Sequence, residues 1–107
     1  MSVRVSEENF DKEVLQSEIP VLADFYSDSC VPCKRLSPVL AEIEEESKGS
    51  LKLVKVNINF DGGLAEKYEV QAAPTLILFR SGREVSRLRG SVKKAEITEL
   101  INTYEGE

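Results

Sequence analysis

Hydrophobic and polar residues follow one another along the chain in a pattern that predicts alternating strands and helices. Residues 21–26 form a nearly continuous apolar run, which is typical of a strand covered on both faces. Residues 51–58 mix alternation with a short apolar pair and predict a second central strand. Residues 75–79 and 85–88 flank the short turn Arg80-Ser81-Gly82-Arg83, so we predict an antiparallel hairpin there.

Helical spacing fills the segments between these strands. A helix is predicted after Cys30, where apolar residues recur every three or four positions: Leu36, Val39, Leu40 and Ile43. We expect Pro38 to kink this helix and Ser47-Lys48-Gly49 to end it. Three further helices are predicted. The first is capped by Ser6 and directs Phe10, Val14 and Leu15 inward, and a short second helix lies around Leu64, Ala65 and Tyr68. The last contains Ile97, Leu100, Ile101 and Tyr104, and Ser91 is a possible cap for it. This order predicts an α/β fold with a central mixed β-sheet flanked by helices on both faces.

Length and charge narrow the classes of protein that this sequence fits. A chain of 107 residues with 41% hydrophobic residues predicts a single domain over residues 1–107. The net charge of −5 disfavours binding to nucleic acid, which needs a basic surface. No apolar run is long enough for a membrane-spanning helix, and the N-terminus lacks the pattern of a signal peptide. We therefore expect no membrane association and a cytoplasmic location, although a mature form without its leader would look the same.

The segment Cys30-Val31-Pro32-Cys33 holds both cysteines of the chain and lies at the predicted start of a helix. The unpaired backbone N–H groups and the dipole at a helix N-terminus favour a thiolate, which is the reactive form of cysteine. Pro32 fits the first helical turn, where its missing N–H has no consequence. A strand followed at once by such a pair predicts a site that makes and breaks a disulfide.

Three other interpretations of the cysteine pair remain open from the residues alone. A closed zinc site needs about four ligands, whereas this chain has no histidine and no further cysteine. A purely structural disulfide across two residues would constrain the unfolded chain only slightly. Two buried and inert thiols are the third possibility, because free cysteine often behaves as a small apolar residue.

Asp24 interrupts the apolar run 21–26, and a buried carboxylate is costly unless it is paired or protonated. Either its side chain points outward or pairs structurally, or it lies beneath the cysteines with a raised pKa and accepts the proton of Cys33. Lys55, in the next predicted strand, could neighbour Asp24, although a lysine on an alternating strand more often faces solvent. Before the hairpin, the sequence alone favours an ordinary trans bond at Ala73-Pro74.

Taken together, several segments resemble the thioredoxin family in order and spacing over nearly the whole chain. They are residues 21–26, Cys30-Val31-Pro32-Cys33-Lys34, Pro38, Val54-Lys55-Val56-Asn57, Ala73-Pro74-Thr75-Leu76, Phe79, Gly82 and Gly90. The resemblance implies the thioredoxin fold and the reduction of protein disulfides through a reversible Cys30–Cys33 pair. It also implies disulfide-containing protein substrates, a thioredoxin reductase as partner, a monomeric state, and neither a bound cofactor nor a metal.

The resemblance assigns roles to individual residues. Cys30 is similar to the attacking nucleophile, Cys33 to the buried resolving cysteine, and Pro74 to a cis-proline that faces the disulfide. Asp24 and Lys55 match the buried acid and its lysine neighbour. The residues expected to meet the substrate are Ser29, Val31, Pro32, Ala73, Thr75 and Gly90.

The chain departs from the usual family motif, which reads Trp-Cys-Gly-Pro-Cys. Ser29 replaces the tryptophan, Val31 replaces the glycine, and Tyr26 stands where a second tryptophan is common. Small differences in stability between the dithiol and disulfide forms decide whether such a pair acts as a reductant or an oxidant. A difference in reduction potential of about 30 mV corresponds to about 1.4 kcal/mol for a two-electron couple. Two alternatives therefore stay open: a disulfide oxidase or isomerase, and a thioredoxin-fold binding module without turnover.

Overall fold

A five-stranded mixed sheet forms the middle of the protein, whose computed structural model describes residues 3–104. Residues 1–2 and 105–107, which the predicted domain includes, lie outside the described residues. The strands are β1 (Val3–Val5), β2 (Val21–Tyr26), β3 (Lys52–Asn57), β4 (Thr75–Arg80) and β5 (Arg83–Arg89). Their order is β1-β3-β2-β4-β5, with β1 and β2 parallel to β3 and with β4 antiparallel to both β2 and β5. The predicted mixed sheet is confirmed, and β2 lies at its centre.

Helices cover both faces of this sheet, as the pattern predicted. They are α1 (Val31–Ser47), α2 (Gly62–Lys67) and α3 (Lys94–Thr103), and a π-helical turn spans Asp11–Leu15. On one face, α1 and α3 bury an aliphatic core that includes Leu22, Leu40, Leu78 and Ile97. On the other face, the π-helical turn and α2 enclose a core that is richer in aromatic residues and includes Phe10, Phe25, Val54 and Phe79.

The predicted hairpin and the long helix are both present. β4 and β5 are joined by the two-residue turn Ser81-Gly82, where both residues have positive φ, as a type I′ turn requires. Helix α1 runs without a break through Pro38 and ends at Ser47, after which Lys48 adopts the left-handed conformation. No helix within residues 3–104 is long and apolar enough to cross a membrane.

Two predicted helix caps are wrong. The Ser6 hydroxyl caps no helix; instead, the Asn9 Oδ1 atom accepts a 2.7 Å hydrogen bond from the Ser6 backbone N–H. At the last helix, Lys93 rather than Ser91 occupies the capping position, and its backbone N–H donates to Glu96 Oε1 at 2.9 Å. In both cases a side chain three residues further along the chain accepts a hydrogen bond from the backbone N–H.

Candidate active site

The two cysteines form a disulfide at the N-terminus of α1. Cys30 occupies the N-cap position, and its Sγ atom accepts a 3.1 Å hydrogen bond from the Cys33 backbone N–H. Both residues are largely buried, at 9% and 6% exposure. Because a backbone N–H and the helix dipole both point at Cys30 Sγ, the site favours a thiolate there once the disulfide is reduced. Among residues 3–104, no group of three or more histidine, cysteine, aspartate or glutamate side chains is placed to hold a metal ion.

The turn between β2 and α1 is tied to the end of β3 by side chains that the sequence analysis did not identify. Asn57 Nδ2 donates to Asp28 Oδ1 at 3.0 Å, and the Asp28 backbone N–H donates to Asn59 Oδ1 at 3.2 Å. The sequence signal for this contact is a pair of asparagines at and just after the carboxyl end of β3, because sites in open α/β sheets lie at the carboxyl ends of parallel strands. These bonds fix the turn from which Cys30 begins the helix.

Asp24 lies beneath α1 in the middle of the sheet. It is 1% exposed, and its Oδ1 atom is buried without a hydrogen-bond partner. Burial raises its pKa from 3.8 to about 6, and the Lys55 ammonium opposes part of that rise. The interpretation in which Asp24 points outward is therefore wrong. A cavity of about 180 Å³ is lined by both Asp24 and Cys33.

Lys55 is the strand neighbour of Asp24, because the parallel register of β2 and β3 pairs the two residues directly. Its side chain is half-buried, so it is partly shielded from solvent. The Nζ atom donates to Ser37 Oγ at 3.2 Å and lies 5.6 Å from the centre of the Tyr26 ring. Ser37 also lines the cavity shared by Asp24 and Cys33, and the sequence analysis did not identify it.

The loop before β4 meets the N-terminus of α1 across a shallow groove. The Ala73–Pro74 peptide bond is cis, as the family resemblance implied, and the Pro74 carbonyl accepts a 2.9 Å hydrogen bond from the Gly90 N–H. Pro32, Pro74 and Gly90 line this groove, whose volume is about 160 Å³.

The other residues expected to meet a substrate differ in exposure. Ser29 and Val31 are exposed on either side of Cys30, and Ala73 is half-buried. Thr75 is buried, and its hydroxyl donates to the Ala72 carbonyl at 2.7 Å. The Thr75 side chain therefore braces the loop and offers little surface to a substrate.

Comparison with known proteins agrees with this geometry. The sequence model of the thioredoxin family matches residues 1–103. The chain is 37% identical to a thioredoxin from Rickettsia felis over 95% of this chain and 97% of that protein. It is 38% identical to a thioredoxin from Pyropia yezoensis, with 97% and 98% coverage, and 34% identical to thioredoxin 1 from a Nostoc species, with 96% coverage of each chain.

The chain belongs to the thioredoxin family. It is accordingly a thiol–disulfide oxidoreductase of the protein-disulfide reductase class, with Cys30 and Cys33 as its redox-active pair. The departures from the usual thioredoxin motif have visible consequences in the structure. Val31 is 55% exposed and adds apolar surface next to the disulfide. The Tyr26 ring lies against the Lys55 ammonium, whose Nζ atom is 5.6 Å from the ring centre.

Proposed function

We propose that this thioredoxin-family protein works as a reductant of disulfides in other proteins, with Cys30 attacking and Cys33 resolving. The Cys30 thiolate attacks one sulfur of a substrate disulfide, and the other substrate sulfur leaves as a thiolate that takes up a proton. Cys33 then attacks Cys30 Sγ, which forms the internal disulfide and releases the second substrate thiol. Two electrons pass from the cysteine pair to the substrate. The observation that carries this proposal is the Cys30 sulfur at the N-cap of α1, where it accepts the Cys33 N–H.

Asp24 is proposed as the group that takes the proton from Cys33 when that thiol must attack. Both residues line the same cavity, so a proton can pass between them directly or through water. A general base works best when its pKa lies near the working pH, and burial brings the pKa of Asp24 to about 6. Lys55 is proposed to adjust this basicity through its charge on the neighbouring strand.

The substrate chain is proposed to lie along the groove between α1 and the cis-proline loop. Pro32, Pro74 and Gly90 line this groove together with residues of α1. The substrate is proposed to reach Ser29, Val31 and Ala73 as well, which are the sequence neighbours of Cys30, Pro32 and Pro74. Val31 supplies an exposed apolar contact of the kind that a substrate can bury. Thr75 supports the loop from beneath through its bond to the Ala72 carbonyl.

A thioredoxin reductase returns two electrons to the Cys30–Cys33 disulfide, so that no bound cofactor is needed. We propose that the protein acts as a monomer in the cytoplasm, because a reductant needs a compartment that keeps supplying electrons to its dithiol.

Trapping with a Cys33→Ser variant tests the proposed order of attack. With a model protein disulfide such as insulin, this variant should accumulate a mixed disulfide through Cys30 that dithiothreitol releases. The matched Cys30→Ser variant should accumulate none. A folded Cys33→Ser protein that traps no substrate would refute the mechanism. The reduction potential of the wild-type Cys30–Cys33 pair can be measured by equilibration with graded dithiol buffers. A strongly reducing midpoint would support a reductant, and a markedly oxidising midpoint would support an oxidase or isomerase.

A further inference from the structure

The Lys55 ammonium is held by groups other than the carboxylate that it neighbours. Its strand register places it directly beside Asp24, yet its Nζ atom donates to Ser37 Oγ at 3.2 Å. The same atom lies 5.6 Å from the centre of the Tyr26 ring, which adds a weak cation–π attraction. Asp24 Oδ1, meanwhile, is buried without a hydrogen-bond partner. The cation nearest to the buried acid is therefore engaged elsewhere.

The position of Ser37 on α1 explains how its hydroxyl reaches the Lys55 ammonium. Ser37 follows Cys33 by four residues, so both side chains lie on the same face of the helix, above the sheet. Both also line the cavity that contains Asp24 and Lys55. Elsewhere in α1 a serine behaves differently: the Ser47 hydroxyl donates to the Ile43 carbonyl of its own helix at 2.8 Å. The Ser37 hydroxyl accepts instead from a side chain of β3.

We propose that Ser37 is a positioning residue that holds the Lys55 ammonium away from Asp24, leaving the carboxylate unpaired to accept the proton of Cys33. This inference rests on the proposed role of Asp24 in the resolving step. An ammonium that closed on the Asp24 carboxylate would stabilise its ionised form and weaken it as a base.

Among the charged groups around Asp24, Lys55 is the cation whose position most affects the Asp24 carboxylate. The other titratable or charged groups around the cavity are Tyr26, Asp28, Cys33 and Lys34. Asp28 and Lys34 are exposed, so water screens their charges. On the opposite side, β4 places the apolar Leu76 in register with Asp24. Lys55 is half-buried on the adjacent strand, and its charge already opposes the effect of burial on the Asp24 pKa.

Substitution of Ser37 gives a direct test. In the reduced protein, the Asp24 carboxyl carbon can be followed by NMR as pH is varied, and the pH dependence of insulin reduction can be measured alongside. A Ser37→Ala variant frees Lys55, so we expect the Asp24 pKa to fall by about 1 and the low-pH limb of activity to move with it. Ser37→Thr keeps the hydroxyl and should leave both close to the wild type.

A double-mutant cycle shows whether the effect passes through Lys55. In a Lys55→Met background, Ser37→Ala should leave the Asp24 titration unchanged. The inference is overturned if Ser37→Ala fails to lower the Asp24 pKa in the wild type, or if it lowers it equally without Lys55. The proposed role of Asp24 is tested separately: an Asp24→Asn variant with an unchanged pH profile would remove Asp24 from the resolving step, whatever the NMR titration shows for Ser37.

Discussion

Replacing Asp24 by asparagine should stabilise the protein at neutral pH. Burial raises the pKa of this carboxyl in the folded state, so the folded protein holds the proton more tightly than the unfolded chain does. Raising the pH therefore destabilises the fold, starting near the unfolded pKa of 3.8 and reaching its full extent above the folded pKa of about 6. Asparagine has nearly the same shape and carries no charge to desolvate.

The size of the effect follows from the two pKa values. They differ by roughly 2 pH units, and each unit corresponds to about 1.4 kcal/mol, so ionising Asp24 removes roughly 3 kcal/mol of folding stability. We expect Asp24→Asn to unfold with a free energy about 2–3 kcal/mol larger than the wild type at about pH 8. The difference should shrink through about pH 5 and be nearly gone at about pH 4, where the wild-type carboxyl is protonated in the folded state.

Urea unfolding of the oxidised protein at these pH values provides the assay. Far-ultraviolet circular dichroism is the suitable probe, because the chain has no tryptophan. Glu45→Gln is the matched control: it removes one carboxylate at an exposed residue of α1 and should alter the unfolding free energy by less than about 0.5 kcal/mol. The reasoning is refuted if Asp24→Asn gives no gain at high pH, or if the gain is as large at about pH 4.

Two further pairs of substitutions test the packing around the sheet. Leu40 is fully buried between α1 and the sheet, so Leu40→Ala should lower the unfolding free energy by about 2–5 kcal/mol, and the half-buried Val39→Ala by less. If urea titrations gave equal losses of unfolding free energy for Leu40→Ala and Val39→Ala, the two side chains would not differ in burial as the structure shows. Gly82 and Gly90 both have positive φ, but a Cβ on Gly82 would lie 3.0 Å from the Leu15 carbonyl oxygen, whereas Gly90 has open space. Alanine should therefore cost about 1–2 kcal/mol at Gly90 and more at Gly82, and equal shifts in thermal midpoint would contradict the Leu15 contact.

The centre of the fold could be predicted because its signals are local. The apolar run of β2 and the apolar spacing of α1 each reflect burial of a single element, and Cys30 and Pro32 mark the helix start within a few residues. β1 has three residues and pairs only with β3, so it leaves too short a pattern to detect. The π-helical turn was expected to be an ordinary helix. Its distinguishing bond, from the Gln16 N–H to the Asp11 carbonyl at 2.9 Å, spans one residue more than an α-helical bond, and side-chain periodicity does not resolve that difference.

At the site, the sequence indicated which residues are present better than it indicated their burial and contacts. Alternation alone favoured a solvent-facing Lys55, but α1 crosses above this face of β3 and half-buries the side chain. Ser37 was missed because a serine within a helix gives no sign of which neighbour its hydroxyl meets. For Ala73–Pro74, the residues alone favoured a trans bond, and the family resemblance supplied the cis form that the structure has. These features depend on contacts between elements, which a local pattern does not contain.

The proposed role of Asp24 links the stability of this protein to its chemistry, and one variant can test that link. A carboxylate in the middle of a sheet is a local violation of the apolar pattern, and such violations are expected mainly at functional sites. Three features agree with that interpretation: Asp24 Oδ1 lacks a hydrogen-bond partner, its nearest cation is bound to Ser37, and its cavity opens to Cys33. If the carboxyl served only the fold, Asp24→Asn would lose stability or leave it unchanged. A variant that is more stable yet slower to resolve a mixed disulfide would show instead that the fold tolerates the buried charge because the reaction needs a base at that position.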